Sequence, residues 1–404
     1  MSFEKYLAEI DRGKNEARET VKAMLAVKPQ ADYWRGMIAV PPGSSLERVL
    51  VAFKRKTDIP LELPFFVMLH FVSGMLLAKQ VKLKGRLGEF YPELWTIILA
   101  DSGSGKTLSH DIIAKASPVK SQFPEPASGA KFIQSFLKHN FGLWFQDEIA
   151  QKMKQIDTIG TPLSDCKDYL LRAYSNSKIE RATKAETITI EKPCLGILGL
   201  NTQKSFFDSI SEESLLDGFM QRFGIIVAEP DPERNAFVNP EKYAFYDIDS
   251  LHKTVKSAFD NIAKTRIHQV YRVGDDAEEA FRASFSSLIR EEFPLSYFRR
   301  VMFKSFRYAL LYHIILGKEK DVIDAEDIGW GARVSALHLQ DLKHLISKGS
   351  NFSTLQALVE KARKVKARIE ANGEVPTARL ISQGIKLKGK TLDIKSATTL
   401  MGLI

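Results

Sequence analysis

The sequence predicts an α/β fold: a mostly parallel β-sheet covered by helices on both faces, with further helical segments before and after it. Three observations carry this expectation. Short apolar runs at residues 94–100, 142–145, 194–200 and 224–228 alternate with helical patterns. A glycine-rich turn at residues 101–105 joins the first of these runs to a helix-like stretch. From about residue 248 to 347 the periodicity is helical throughout.

The bulk numbers bound the answer. The chain has 404 residues, enough for two or three domains. Its 44% hydrophobic and 26% charged content is ordinary for a globular protein. A chain this long buries a full core without disulfides. The two cysteines, Cys166 and Cys194, are too few for a metal cluster and fit a reducing compartment as free thiols. They read as small buried hydrophobes. The first residues run straight into a charged helical pattern with no apolar leader. The most apolar stretch, residues 61–78, contains Glu62, Pro64 and His70, and reads as a buried helix rather than a membrane span. The net charge of +9 fits either a polyanionic partner such as nucleic acid or a surface rich in lysine.

Along the chain, residues 1–59 form an N-terminal helical segment. It has apolar positions at Phe3, Leu7, Ile10, Val21, Met24 and Leu25, a break at Pro41, Pro42 and Gly43, and a second block at Leu46, Val49 and Leu50. It carries no chemical motif and reads as a small helical domain or an oligomerisation collar. Residues 60–235 hold the alternating core, which ends near Pro230 and Pro232. Residues 236–347 are helical, with a strong amphipathic run at 298–316 and Asp324 as an N-cap. The tail, residues 348–404, places Lys361, Arg363, Lys364, Lys366 and Arg368 on one helix. Three short helices there predict a helix-turn-helix or winged-helix module that contacts DNA or docks a protein.

The turn after the first strand carries the sharpest motif. Residues 95–109 read as a buried strand, a glycine-rich turn and a helix, matching G-x-x-x-x-G-K-[ST] with Ala100 in place of the first glycine. An alanine is tolerated there if its φ is negative. Gly103 and Gly105 let the backbone curl so that amides point at phosphate oxygens, and the helix N-terminus adds a field that favours anions. Asp101, Ser102, Gly103, Ser104, Gly105, Lys106, Thr107 and Leu108 are the expected wrap around a triphosphate. Lys106 is expected on the β- and γ-phosphates and the Thr107 hydroxyl on magnesium. ATP and Mg²⁺ are therefore the expected ligands.

Three later features follow in order. The run at 141–148 ends in Asp147 and Glu148: the first is placed to hold magnesium, the second to polarise an attacking water. Two acids at a strand's C-terminal end lie where doubly wound sheets bind ligands. The next apolar run ends in Asn201, whose amide can hydrogen-bond the attacking water. Arg222 then precedes the last strand, a position from which one subunit can reach its neighbour's site.

The phosphate loop, the acidic strand, the Asn-ended strand and the Gly-Phe-Met-Gln-Arg-Phe run at 218–223 together resemble an AAA+ P-loop ATPase. Residues 198–203 and 217–223 resemble more closely an uncharacterised helicase-like family, the YfjI-like group, found beside primases in replication proteins of phages and mobile elements. The resemblance covers about residues 60–345. It implies a DNA helicase or translocase working as a homo-oligomer, a hexameric ring, with ATP between subunits and Arg222 supplied by the neighbour. It implies a helical lid over residues 236–347, from which Lys304 or Arg307 contacts the γ-phosphate. A β-hairpin expected at 179–190 would grip single-stranded or forked DNA through Lys178, Arg181 and Lys184, unless it is simply a solvated edge. Other implied partners are a separate primase or replication initiator, with no membrane, in the cytoplasm of a bacterial host cell. Two other functions fit the same residues: an ATP-gated origin-binding initiator or helicase loader that does not unwind, and a protein-remodelling or defence ATPase.

Overall fold

The apolar runs fold as strands of one parallel sheet. The computed structural model describes residues 3–26, 40–86, 88–119, 122–182, 187–210, 218–291, 293–347, 351–387 and 390–401. In chain order the first elements are α1 (Phe3–Ala26), α2 (Ser45–Lys56), α3 (Glu62–Ala78), β1 (Lys82–Gly85), β2 (Gly88–Phe90), β3 (Trp95–Ala100), α4 (Lys106–Ala116) and α5 (Gly129–Lys138). Then come β4 (Gly142–Gln146), α6 (Ile149–Asp157), α7 (Cys166–Tyr174), β5 (Ile179–Ala182), β6 (Thr187–Ile190), β7 (Leu195–Asn201), α8 (Gln203–Ser209) and β8 (Gly224–Ala228). After these lie α9 (Pro240–Tyr243), α10 (Ile248–Ala263), β9 (Val270–Val273), α11 (Asp275–Leu288), α12 (Leu295–Ile315), β10 (Val322–Ile323) and α13 (Ala325–Ser347). The tail holds α14 (Asn351–Ala371), α15 (Ala378–Gly384), β11 (Lys386–Leu387), β12 (Lys390–Thr391) and α16 (Ile394–Met401).

The central sheet runs β4–β7–β3–β8, all parallel. A single parallel bridge, Gln122 to Leu143, extends its β4 edge. Alternate residues go to opposite faces. Trp95, Ile97 and Leu99 join one buried cluster with Trp144, Phe132 and Ile197; Ile98 and Ala100 join the other with α3, Leu198 and Ile226. Burial on both faces is why these strands read as continuous apolar runs. The helix α3 lies under the sheet with every residue from Glu62 to Leu77 buried, as its apolar sequence predicts. Among the described residues no helix is long and apolar enough to cross a membrane.

Three expectations change. The stretch from 248 to 347 is not helical throughout: β9 and β10 pair in parallel, and β9 pairs with β1. A second sheet, β10–β9–β1–β2, therefore ties residues 82–90 to residues 270–323. Strands of four and two residues are too short to register as a period in the sequence. The N-terminal helix α1 packs on later helices: Arg18 pairs with Glu279 at 2.7 Å, and Arg333 Nε donates to Met24 O at 2.9 Å. Gly329 makes that approach possible, because a Cβ there would lie 2.3 Å from Met24 Sδ. The tail opens with one 21-residue helix, not a short one, and places a two-stranded hairpin between its last two helices. On α14, Ala362, Val365 and Ile369 are buried while Lys361, Arg363, Lys364 and Arg368 face solvent.

Burial in α3 has one thermodynamic consequence. Both ring nitrogens of His70 are buried with no hydrogen-bond partner. Burial first, then the nearby His338 and His110, lower its pKa from 6.5 to about 3. Below pH 6.5 the unfolded chain takes up a proton that the folded chain refuses. Folding should thus lose up to about 1.4 kcal/mol per pH unit from this group, until its folded pKa is reached. His70→Leu should remove that slope. Urea unfolding at pH 7 and pH 5 checks it; equal losses in wild type and variant would refute this account.

Candidate active site at the carboxyl ends of the strands

Strand β3 ends at Ala100, which pairs with Ala228 and is not among the residues with positive φ, so alanine sits there without strain. The chain then turns through Gly103 and Gly105, both at φ 78°. Gly105 is required twice over: besides its φ, a Cβ there would lie 2.6 Å from Ile59 Cγ1. Ile59 is fixed by Arg234, which donates from Nη1 to Thr57 O (2.6 Å) and from Nη2 to Ile59 O (3.0 Å). Helix α4 starts at Lys106 with no side-chain cap, so its first amides are open to a ligand. Lys106 is buried, and its ammonium donates to the carbonyls of Ala100 (3.1 Å) and Asp101 (2.8 Å).

The two sequence-distant halves meet at Thr107. Its hydroxyl donates to Asp147 Oδ2 at 2.6 Å, across 40 residues of chain. The other oxygen, Oδ1, accepts from the Glu148 amide at 2.9 Å. Glu148 is exposed and holds φ at 49°, the left-handed region, directly before α6. A glutamate held there costs of order 1–3 kcal/mol, which the surroundings must supply. Ile149 anchors the turn by packing onto Gly199 of β7, where a Cβ would lie 2.3 Å from Ile149 Cδ1. Behind Thr107, the buried His110 ring stacks on Phe145 with centroids 3.5 Å apart, and burial lowers its pKa.

Asn201 has a different task from the one expected. It is fully buried; its Oδ1 accepts from the Ala150 amide (3.1 Å) and its Nδ2 donates to Thr202 O (3.0 Å). The amide thus clamps the first turn of α6, two residues after Glu148, and is a positioning residue rather than a group facing water.

The expected lid contacts lie at the other end of the sheet. Gly224 pairs with Thr96, so Arg222 precedes β8 at the end where β3 begins, whereas the glycine-rich turn follows Ala100. With about 3.3 Å per strand residue, Arg222 is well out of reach of its own loop. Its Nη1 donates to Gly218 O (2.7 Å), and its guanidinium lies 5.5 Å from the Tyr174 ring centroid. Lys304 is buried beside the half-buried Arg222, donating to Arg222 O at 2.7 Å. Burial and then the neighbouring Arg307 and Arg300 hold its pKa well below the usual lysine range. Arg307 donates to Glu93 (2.6 Å) and Tyr91 O (3.2 Å) in a buried ion pair. Neither Lys304 nor Arg307 can touch a nucleotide on the loop of its own chain, because both are consumed in packing α12 against the amino ends of the strands.

The hairpin is present as β5–β6, with Ile179 opposite Ile190 and Ala182 opposite Thr187. Lys178 pairs with Glu180 (2.8 Å) and Glu191 (3.5 Å), which raise its pKa and offset its attraction for phosphate. Arg181 is half-buried, and Lys184 lies outside the described residues. The residues that sequence reasoning missed are Thr57, Ile59, His110 and Arg234; no motif marks them, since they matter only as walls of the loop. The sequence matches no protein-family model and no curated protein, so the chemistry of the site rests on its own atoms.

Proposed function

We propose that the protein is a magnesium-dependent ATPase of the AAA+ P-loop type. The observation that carries this reading is the hydrogen bond from Thr107 to Asp147, which joins the loop to the acidic strand at the carboxyl end of a parallel sheet. The donor set fits magnesium: a hydroxyl and one carboxylate, both hard oxygens, at a half-exposed edge. No group of three or more His, Cys, Asp or Glu that could cage a metal occurs among the described residues, which suits an ion held chiefly through the substrate's phosphates. When bound, magnesium would neutralise charge on the phosphate oxygens.

The chain's own residues divide the work. The open amides of the loop and of α4 wrap the triphosphate, and the third N–H of Lys106 is left for a phosphate oxygen. Glu148, fixed by its left-handed backbone and by the Asn201 clamp, takes the proton from the attacking water. Arg222 serves a neighbouring copy.

The wider role we propose is DNA translocation by a helicase, with the β5–β6 hairpin as the strand contact. The net charge of +9 and the exposed basic face of α14 favour a nucleic-acid partner over a protein substrate. A labelled-strand release assay separates this from an initiator or loader: a motor frees the strand only with ATP, and a loader does not.

Binding of a fluorescent ATP analogue with magnesium tests the core of the reading. Wild type should bind, and Lys106→Ala should bind roughly 10–100-fold more weakly, the loss of one charge-assisted contact. Failure of the wild type to take up nucleotide would overturn the assignment.

A further inference from the structure

Beside the second sheet lies a cavity that the candidate site does not use. Strand β2 and helices α11 and α12 enclose about 300 Å³ between Phe90, Phe281, Phe303 and Phe306. The rings hold one another: Phe281 lies 4.6 Å from Phe306 and 5.6 Å from Phe303, and Phe90 lies 5.8 Å from Phe306, centroid to centroid. Gly85 and Val273, the last residues of β1 and β9, complete the wall. Gly85 sends no side chain into the space, and a Cβ there would meet Val273 Cγ2 at 3.1 Å. Packed interiors leave few voids larger than a water molecule, and this one has room for about ten. Phe90, Phe281 and Phe303 are only half-buried, so apolar ring surface stays in contact with water.

Three charged groups line the same space. Arg86 and Glu278 pair at 2.7 Å and largely cancel. Arg282, one turn after Glu278 on α11, is exposed and has no ion-pair partner among the described residues. The acids of the adjoining depression are engaged elsewhere: Glu279 pairs with Arg18 at 2.7 Å, and Asp276 accepts from the Ala325 amide at 3.0 Å. Asp275 opens α11, where the helix dipole offsets a negative charge.

We propose that this cavity binds a medium-length apolar carboxylate, its hydrocarbon among the phenylalanines and its carboxylate on Arg282. An apolar pocket with one placed polar group is the usual form of a small-molecule site. A guanidinium offers two parallel donors to one carboxylate. A phosphate monoester would bring a second negative charge beside Glu278, and an amine would meet Arg282. The contact uses no residue of the glycine-rich turn or the acidic strand, so it stands whether or not the chain hydrolyses ATP.

Calorimetric titration of the full chain with octanoate, octanol and octylamine tests the assignment, since the three share a chain and differ only in head group. Octanoate should saturate a single site per chain and bind at least about tenfold more tightly than either of the others, the worth of a charge-assisted pair. Arg282→Glu should weaken octanoate by at least about tenfold, leave octanol close to its wild-type affinity and make octylamine the preferred ligand. Because Arg282 is exposed, that variant should keep the wild-type melting temperature. Phe281→Trp narrows the cavity and should weaken octanoate and octanol alike. If the tryptophan variant folds poorly, the exchange of head-group preference in Arg282→Glu still decides. A wild type that does not saturate, equal affinities for octanoate and octanol, or an unchanged order of preference in Arg282→Glu overturns the proposal. So does a folded Phe281→Trp that binds both ligands as the wild type does.

Discussion

Exchanging Glu148 for glutamine should cut ATP turnover by roughly 10²–10⁴-fold while leaving nucleotide affinity close to wild type. The side chains are nearly isosteric, so the left-handed turn at φ 49° and the hydrogen bond from the Glu148 amide to Asp147 persist. Only the proton acceptor is lost. Asp147→Asn makes the contrast. There the carboxylate facing Thr107 loses its charge, so the loss should appear in magnesium-dependent affinity as well as in rate. Steady-state phosphate release together with analogue binding separates the two. Wild-type turnover in Glu148→Gln would remove Glu148 from the chemistry and return its unusual backbone to a purely structural cause.

The elements that carry the candidate site are more legible in the sequence than their spatial order. The four buried strands are legible because burial on both faces leaves runs such as Ile97-Ile98-Leu99-Ala100 without polar interruption, and the loop is legible because Gly103 and Gly105 meet φ requirements few other residues can. Strand order is not. Nothing local says that β7 lies between β3 and β4, and that insertion puts Asn201 under the first turn of α6. An amide at a strand end has two possible tasks, and the partner that decides between them, the Ala150 amide, is 51 residues away.

The basic residues of α12 fail for a related reason. Their spacing puts Lys304 and Arg307 on one helical face, and unpaired cations normally face solvent. Here Arg307 is buried because Glu93, 214 residues earlier, compensates it, and Lys304 because it satisfies the Arg222 carbonyl. Ile59 and Arg234 are hidden in the same way: their contact spans 175 residues and has no pattern to recognise. What periodicity and motif report is local; what the site borrows from distant segments is set by packing.

Arg222→Ala should bind nucleotide normally and lose turnover by about 10³–10⁵-fold, the contribution of an arginine supplied in trans to a phosphoryl-transfer site. The strand register separates Arg222 from the loop after Ala100 of its own chain, since the two lie at opposite ends of one sheet, so the proposed contact has to come from a second copy. A structural role is the rival account, because the guanidinium also holds Gly218 O at 2.7 Å and lies over Tyr174. That role predicts a lower melting temperature and an activity loss that no other subunit can repair. Mixing decides between them. Lys106→Ala subunits keep their arginine, and Arg222→Ala subunits keep their loop, so in an equal mixture about a quarter of head-to-tail interfaces combine an intact loop with an intact arginine. Turnover should then rise well above that of either variant alone. If the mixed chains assemble and the rate stays at the sum of the parents, the arginine acts within its own chain.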